Sequence, residues 1–145
     1  MKKERFKMIA SGYLFLVRNE KILLLRRFQT GYMDGHYSLP AGHIEDKETL
    51  TGGTCREIKE EIGITLLPND LTLVHVMHRK SDDIRMDFFF TTDKQGLVPK
   101  NMEPKKADDL SWFPLNDLPT NTIPYIRAAI KNFQQGNFYS EFGWE

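Results

Sequence analysis

The segment from Glu48 to Ile62 constrains the fold more than any other part of the 145-residue sequence, because it has the pattern of an amphipathic helix. Its apolar side recurs at four-residue spacing, which places those residues on one helix face. They are Leu50, Thr54, Ile58 and Ile62. Thr49 or Asp46 can cap the start, and Gly63 stands where a glycine commonly ends a helix. We predict a helix over residues 48–62 with one face towards the core.

Short apolar runs before and after this segment are typical of strands. They cover residues 9–17, 21–27, 71–78, 84–91 and 110–113. A second helix is predicted over residues 123–134, with Asn121 or Thr122 as its cap and Gly136 as its end. Strands that precede, separate and follow two helices indicate an α/β (α+β) fold with a mixed β-sheet. No repeat or linker divides the chain, so residues 1–145 are predicted to form a single domain.

Composition excludes several classes of protein. The formal net charge is zero, which argues against a stable nucleic-acid partner held by phosphate neutralisation. The longest apolar runs are far shorter than the ~20 residues that cross a bilayer, so no membrane partner is expected. The basic N-terminus has no clear signal-peptide cleavage site. Because Cys55 is the single cysteine, an internal disulfide is impossible, and we expect a cytoplasmic protein.

Three glutamates form a second stripe on the predicted helix. Glu57, Glu60 and Glu61 stand at positions i, i+3 and i+4 and fall within about a 100° arc. Like charges this close destabilise a helix, and a divalent cation removes that penalty. Oxygen-only ligands favour hard ions such as Mg²⁺, with Mn²⁺ as a substitute. Gly53, one turn before Glu57, is predicted to leave room for a ligand. The alternative interpretation is a solvated acidic helix face.

The acidic stripe belongs to a longer motif, Gly-x5-Glu-x7-Arg-Glu-Ile-x-Glu-Glu-x-Gly-Ile. Its specified positions are Gly42, Glu48, Arg56, Glu57, Ile58, Glu60, Glu61, Gly63 and Ile64. The motif matches the Nudix box at every fixed position. With Leu-Pro-Ala-Gly-His at residues 39–43 and Trp-Phe-Pro at residues 112–114, most of residues 8–134 resembles a MutT-type Nudix hydrolase. One departure is Ala41, where many members have glycine, although only its backbone carbonyl is expected to act.

That resemblance implies an α-β-α sandwich and an enzyme that hydrolyses a nucleoside diphosphate linked to another group. The expected reaction is the Mg²⁺-dependent conversion of a (deoxy)nucleoside triphosphate to the monophosphate and pyrophosphate. By the same resemblance, the metal is held by the Ala41 carbonyl, Glu57, Glu60 and Glu61. Glu57 is also the candidate for orienting or deprotonating the attacking water. Arg56 and Glu48 are expected to pair across the loop–helix junction and fix the helix.

One more metal ligand is predicted outside the box. In similar Nudix enzymes a carboxylate from a loop at about this place reaches the metals, and Glu103 is the best match. Pro104 would stiffen the backbone of Glu103, and flanking lysines could meet the phosphates. Asp108 and Asp109 are the competitors, and a plain solvated loop is the alternative.

Three basic residues are candidates for binding the substrate. Arg26 and Arg27 end a predicted strand beside the acidic box, where they could grip phosphates. His43, next to Gly42, is a candidate donor to a phosphate. For each arginine the alternative is an exposed charge at a strand end.

Two questions stay open in the sequence. Residues 137–145 are aromatic, which indicates a tail that packs on the domain or on a second subunit, so a monomer and a homodimer are both possible. Three other functions remain: hydrolysis of nucleotide sugars or ADP-ribose, removal of an RNA 5′ diphosphate, and a non-catalytic Nudix-fold nucleotide sensor. A sensor would normally have lost box carboxylates, and all of them are present here.

Overall fold

The computed structural model describes residues 3–145, which form nine strands and two α-helices. The strands are β1 (Ile9–Leu14), β2 (Val17–Arg18), β3 (Lys21–Arg27), β4 (Tyr37–Ser38), β5 (Ala41–His43), β6 (Thr72–Lys80), β7 (Ile84–Thr91), β8 (Ala107–Pro114) and β9 (Tyr139–Phe142). The helices are α1 (Leu50–Ile62) and α2 (Pro124–Gln134). Neither of these helices is long and apolar enough to cross a membrane. Met1 and Lys2 of the predicted domain lie outside the described residues.

The strands form two sheets. The larger has the order β5-β1-β7-β6-β9, and the smaller consists of β2, β3 and β4 with β8 paired to β3. In the larger sheet β1 runs parallel to β7 and β6 runs parallel to β9, whereas β5 is antiparallel to β1 and β6 is antiparallel to β7. The sheet is therefore mixed, as the order of predicted elements indicates.

The two helices cover opposite faces of the larger sheet. Successive side chains of a strand point to opposite faces, and the end of β1 with the two residues that follow it shows this directly. Tyr13 and Phe15 pack in a cluster with α2, and Leu14 and Leu16 pack in a cluster with α1. The α1 side chains in the second cluster are Cys55, Ile58 and Ile62. This arrangement is the predicted α-β-α sandwich.

Helix α1 begins two residues later than predicted and ends where predicted. Thr49 is the N-cap, and its hydroxyl accepts a hydrogen bond from the Gly52 N–H at 3.0 Å. Glu48 stays outside the helix, where its carboxylate accepts from the backbone N–H of Glu45 at 2.9 Å. Gly63 ends the helix at φ 72°, a left-handed conformation that glycine adopts without strain.

The predicted cap of α2 is wrong. Ile123 occupies the N-cap position and makes no side-chain capping bond, and Pro124 follows as the first helical residue. The two expected caps are used elsewhere, because Thr122 Oγ1 donates to the Pro119 carbonyl and Asn121 Nδ2 donates to the Gly35 carbonyl. Proline compensates in part, since it has no N–H that needs a capping partner.

The aromatic tail packs on its own chain. Strand β9 adds to the larger sheet beside β6. His75 of β6 is buried, and its ring nitrogens lie 2.7 Å from the Asn137 carbonyl and 2.7 Å from Ser140 Oγ. Trp144 Nε1 donates to the His78 carbonyl at 3.0 Å. The tail therefore extends the sheet on the side away from β5.

The contact between β1 and α1 can be tested at Gly12. A Cβ at Gly12 would overlap the hydroxyl of Thr54 on α1. Overpacking of this kind costs about 1–3 kcal/mol. Gly12→Ala should lower the free energy of unfolding by that amount in urea denaturation, and Thr54→Ala in the same chain should restore part of the loss. Unchanged stability in Gly12→Ala would contradict the close approach.

Candidate active site

Four carboxylates line one cavity beside α1. The cavity has a volume of about 450 Å³ and lies between α1, the end of β3 and the loop that leads into β8. The acidic residues in its wall are Glu57, Glu60, Glu61 and Glu103. The three helical glutamates share this wall because they lie on one face of α1, next to the face that packs on the sheet.

Glu103 reaches the cavity because its loop is attached to the end of α1. The last carbonyl groups of a helix have no partner within it. Here the Lys100 N–H donates to the Ile62 carbonyl at 2.9 Å, and the Met102 N–H donates to the Glu61 carbonyl at 3.0 Å. The backbone that caps the helix therefore carries Glu103 to the helical glutamates. A hydrogen bond from the Glu103 N–H to Asn101 Oδ1 at 3.0 Å orders the same turn.

Arg56 connects the carboxylate of Glu48, in the loop before α1, with those of the helix. It donates to both oxygens of Glu48, from Nε at 2.5 Å and from Nη2 at 2.8 Å, so the predicted pair is present and bidentate. Its Nη1 donates to Glu57 Oε1 at 2.9 Å and lies 3.3 Å from Glu60 Oε2. The hydrogen bonds from Arg56 are the main reason that the pKa of Glu48 falls to about 2.

Glu61 is the most strongly perturbed of the helical carboxylates. The pKa of Glu61 is raised to about 8, mainly by burial and also by the negative charges of Glu57 and Glu103. A hydrogen bond from the Ala41 N–H to Glu61 Oε1 at 2.7 Å opposes that shift. Burial also raises the pKa of Glu57, against the opposing effect of Arg56. A positive charge placed among these groups would relieve the electrostatic cost.

The backbone of Ala41 faces the carboxylates. Bonded and non-bonded pairs alternate along an antiparallel ladder. The Leu14 N–H donates to the Pro40 carbonyl, and the Ile44 N–H donates to the Ala10 carbonyl, so Ala41 falls in a non-bonded pair with Tyr13. Its N–H and carbonyl both point away from β1, and the N–H is the donor to Glu61. The carbonyl that was predicted to bind a metal lies at the same outer edge of β5.

Two glycines of the box have roles set by neighbouring acids. A Cβ at Gly42 would overlap the side chain of Glu57, so glycine lets that carboxylate lie against β5. A Cβ at Gly53 would lie 2.8 Å from Glu48 Oε1 and 3.0 Å from Ile44 Cδ1. The prediction that Gly53 leaves room for a ligand is therefore wrong, because Glu48 and Ile44 fill that space.

The donor set fits a hard divalent cation. Four carboxylates at one cavity and an outward backbone carbonyl offer oxygen atoms alone, which suits Mg²⁺ or Mn²⁺ better than zinc. In their present positions, no three acidic, histidine or cysteine side chains within residues 3–145 are arranged to hold one ion. Glu57 is held by Arg56, and Glu61 is held by the Ala41 N–H. Each of these hydrogen bonds uses only the Oε1 atom of the carboxylate, so a metal could bind through Oε2.

The three acids considered in the loop and strand before Trp112 differ in position. Glu103 lines the cavity, and Lys106 Nζ lies 3.7 Å from Glu103 Oε2. Asp108 accepts from Arg26 at 2.7 Å, and Asp109 accepts from the hydroxyls of Tyr37 and Ser111. Neither aspartate is in the cavity wall.

The three basic residues predicted to bind the substrate also lie in different places. Arg27 lines the cavity, where its Nε donates to the Tyr32 carbonyl at 2.6 Å and its Nη2 donates to Thr30 Oγ1 at 3.0 Å. Arg26 is in neither cavity wall, because adjacent residues of β3 point to opposite faces and Arg26 pairs with Asp108. His43 is exposed on β5, and its Nε2 accepts from Arg85 Nη1 at 3.0 Å.

A second cavity adjoins the first on the α2 face of the larger sheet. Its volume is about 600 Å³, and it shares Leu25, Arg27 and Glu61 with the first. The sequence reasoning did not select the polar residues of its floor, Ser11 and Arg79. A signal was available for Arg79, because a charged residue there interrupts the inward-facing positions of β6.

A buried polar network forms the floor of this second cavity. Arg79 Nε donates to Asp87 Oδ2 at 2.6 Å, and the Tyr13 hydroxyl donates to Asp87 Oδ1 at 3.0 Å. The Tyr13 and Tyr125 hydroxyls lie 3.0 Å apart, and the Arg79 guanidinium lies 3.7 Å from the Tyr125 ring centroid. The buried ion pair is thus enclosed by two aromatic rings.

Comparison with known proteins agrees with this geometry. The model of the NUDIX domain matches residues 8–133. The chain belongs to the Nudix hydrolase family. Enzymes of this family generally use divalent metal ions, which the oxygen-rich first cavity would suit.

Several individual Nudix proteins are similar to the chain. It is 32% identical over 109 residues to the 8-oxo-dGDP phosphatase NUDT18 of Homo sapiens, covering 74% of this chain and 32% of that protein. The chain thus spans about a third of the length of that relative. It is 25% identical over 116 residues to Phosphatase NudJ of Escherichia coli K12, covering 74% and 76%. The structure of a MutT NUDIX hydrolase from Burkholderia pseudomallei superposes with a TM-score of 0.77 at 28% identity, over 87% of this chain and 98% of that one.

Glu61 predicts how the stability of the metal-free protein depends on pH. Its pKa is about 8 when folded and near 4.5 in the unfolded chain, so the folded state binds the proton more tightly. The stabilisation from that proton is complete below the unfolded value and is lost as the pH rises through the folded value. With a chelator present, the Tm should therefore fall as the pH rises between these two values.

Two variants test this assignment. Glu61→Gln should flatten the fall in Tm, because it removes the titrating carboxyl. Glu60→Gln, at an exposed position of the same helix, should retain it. A wild-type slope in both variants would show that another group is responsible.

Proposed function

We propose that the protein catalyses Mg²⁺-dependent hydrolysis of a phosphoanhydride bond in a nucleoside diphosphate linked to another group. The leading substrate is a (deoxy)nucleoside triphosphate, which would yield the monophosphate and pyrophosphate. The observation that carries the proposal is the cavity walled by four glutamates, which adjoins a larger cavity and shares Arg27 and Glu61 with it. One cavity would take the phosphates with their metal, and the other would take the nucleoside.

In this proposal Glu57 acts on the attacking water. Bound Mg²⁺ would neutralise the phosphate oxygens and make the water more acidic. The metal would be held by the Ala41 carbonyl and by the carboxylates of Glu57, Glu60, Glu61 and Glu103. The raised pKa of Glu57 favours a carboxylate that accepts a proton more readily than an ordinary glutamate. Glu57 therefore orients or deprotonates the nucleophile.

Arg56 and Glu48 are positioning residues in the same proposal. Their bidentate pair joins the loop after β5 to α1, and Arg56 extends the connection to Glu57. A carboxylate held in this way keeps its position relative to the phosphates. For the substrate itself we propose Arg27 and His43 as contacts. Arg26, which pairs with Asp108, is left out of this role.

A second candidate is hydrolysis of a nucleoside diphosphate with release of phosphate. The likeness to the 8-oxo-dGDP phosphatase NUDT18 favours it. A panel of nucleoside triphosphates, nucleoside diphosphates, nucleotide sugars and ADP-ribose, assayed separately for phosphate and pyrophosphate release, distinguishes the candidates. Release from no member of the panel in the presence of Mg²⁺ would favour a nucleotide sensor and overturn the proposal.

We further propose a cytoplasmic location, because one buried unpaired cysteine suits a reducing compartment. Residues 1–145 would act as one Nudix domain, as a monomer or homodimer, with a small nucleotide as partner. The family match over residues 8–133 and the pairing of β9 with β6 support the single domain.

Glu57→Gln tests the role of the carboxylate in catalysis. The amide keeps the size of the side chain but cannot accept the proton, so kcat should fall by about 10²-fold or more. The KM should change much less, because the phosphates are held mainly by other groups. Steady-state kinetics on the best substrate of the panel measures both constants, and a kcat near the wild-type value would assign the base to another residue.

Glu103→Ala tests the carboxylate outside the box. Because Glu103 lines the same cavity as the helical glutamates, its loss should weaken metal binding and lower activity at limiting Mg²⁺. Raising the Mg²⁺ concentration should restore part of the activity. Asp108→Ala is the matched control, since Asp108 is in the same segment but pairs with Arg26. Full activity of Glu103→Ala at limiting Mg²⁺ would exclude the role.

A further inference from the structure

Ser11 is a buried polar residue whose hydroxyl has no partner in the described part of the chain. It is 2% exposed and lines the second cavity, and its Oγ makes no hydrogen bond to any residue in the range 3–145. Its neighbours on the adjacent strands are His43 and Asp87. Asp87 is occupied by Arg79 and Tyr13, and His43 Nε2 is occupied by Arg85. A buried hydroxyl without a partner is unfavourable, so a ligand atom that reaches it gains affinity.

Arg79 offers hydrogen-bond donors in the same cavity. Arg79 donates to the Asp87 carboxylate from Nε at 2.6 Å and from Nη2 at 3.4 Å. Its Nη1 makes no hydrogen bond within residues 3–145. A guanidinium group has donors and no acceptor. The ligand atom that faces Arg79 must therefore be an acceptor, because an amino group would present hydrogens to hydrogens.

The surroundings of Arg79 favour an uncharged planar group over a phosphate. The Asp87 carboxylate cancels the charge of the Arg79 guanidinium, and in the rest of the lining the acids Asp82 and Asp83 are balanced by Arg27 and Arg85. Aromatic rings supply flat surfaces, with Tyr13 and Tyr125 in the wall. Tyr32 is 49% exposed at the mouth, where it can stack on a ring.

We propose that Ser11 and Arg79 make the second cavity a subsite for a nucleobase with a carbonyl oxygen on the edge that it presents, as in guanine and uracil. Ser11 and Arg79 donate to that oxygen. Adenine and cytosine carry an amino group at the corresponding position and are disfavoured. This inference rests on the proposed hydrolysis of nucleotides, and it specifies which class of nucleobase the substrate carries.

The kinetic test compares GTP with ATP and UTP with CTP in wild type and in Ser11→Ala. The wild-type protein should prefer the carbonyl-bearing base of each pair by about 10-fold or more in kcat/KM, the ratio expected from one good hydrogen bond to a charged donor. Ser11→Ala should reduce that ratio through KM, with kcat nearly unchanged. Its Tm should not fall, because the deleted hydroxyl has no protein partner.

Ser140→Ala is the matched control. Its hydroxyl lies 2.7 Å from His75 Nε2 on the tail strand, outside both cavities. This variant should lose thermal stability and keep the wild-type base preference. Equal kcat/KM for the two bases of each pair in wild type, or an unchanged ratio in Ser11→Ala, would overturn the inference.

A binding measurement separates this inference from the proposed reaction. GMP should raise the Tm of the wild-type protein more than AMP does, and Ser11→Ala should remove the difference. If no nucleotide is hydrolysed but this difference is seen, the proposed function fails and the subsite stands. If nucleotides are hydrolysed and GMP and AMP act alike, the subsite fails and the proposed function stands.

Discussion

The site depends on the charge of Arg56. Its guanidinium bonds Glu48 and Glu57 and lies within 4 Å of Glu45 and Glu60, at 3.6 and 3.3 Å. Without this cation, the acids around the start and middle of α1 would repel one another and expose the helix to a large electrostatic cost. The bidentate geometry also fixes a direction, because the planar guanidinium can satisfy Glu48 only in one orientation. A loop, a helix and a candidate catalytic carboxylate are thereby held as one unit.

Backbone contacts at both ends of the carboxylate stripe complete the arrangement. At the edge of the sheet, Ala41 donates to Glu61, and Gly42 lets Glu57 lie against the strand. At the helix C-terminus, the loop before Glu103 donates to the otherwise unpaired carbonyl groups of residues 61 and 62. Both contacts satisfy backbone groups that need hydrogen-bond partners in any fold, at an edge strand and at a helix end. As a result, the carboxylates lie close together, where a cation can compensate their charge.

The two cavities differ in electrostatic character, because the first is acidic and the second contains paired charges. The first gathers carboxylates on the surface of a helix, where solvent and a cation can reach them. The second lies over the sheet, where Arg79 is 4% exposed and must be paired, so that it donates to Asp87 and packs against the Tyr125 ring. A nucleotide has the matching asymmetry, because its phosphates are charged and its base is planar and neutral.

Local patterns in the sequence were enough for α1, its end at Gly63 and a start at which Thr49 was one of two candidate caps, since each depends on residues close along the chain. The pairing of Arg56 with Glu48 was predicted from the resemblance to the Nudix box, and the structure contains it. The α2 cap was predicted wrongly because Thr122 and Asn121 bond to other backbone groups of the folded chain. Gly53 was misread because its neighbour on the loop, Glu48, fills the space beside it. The separation of Arg26 from Arg27 and the unpaired hydroxyl of Ser11 were beyond sequence reasoning. Which face a strand turns to a cavity, and whether a buried group finds a partner, are decided only when distant strands pair and pack.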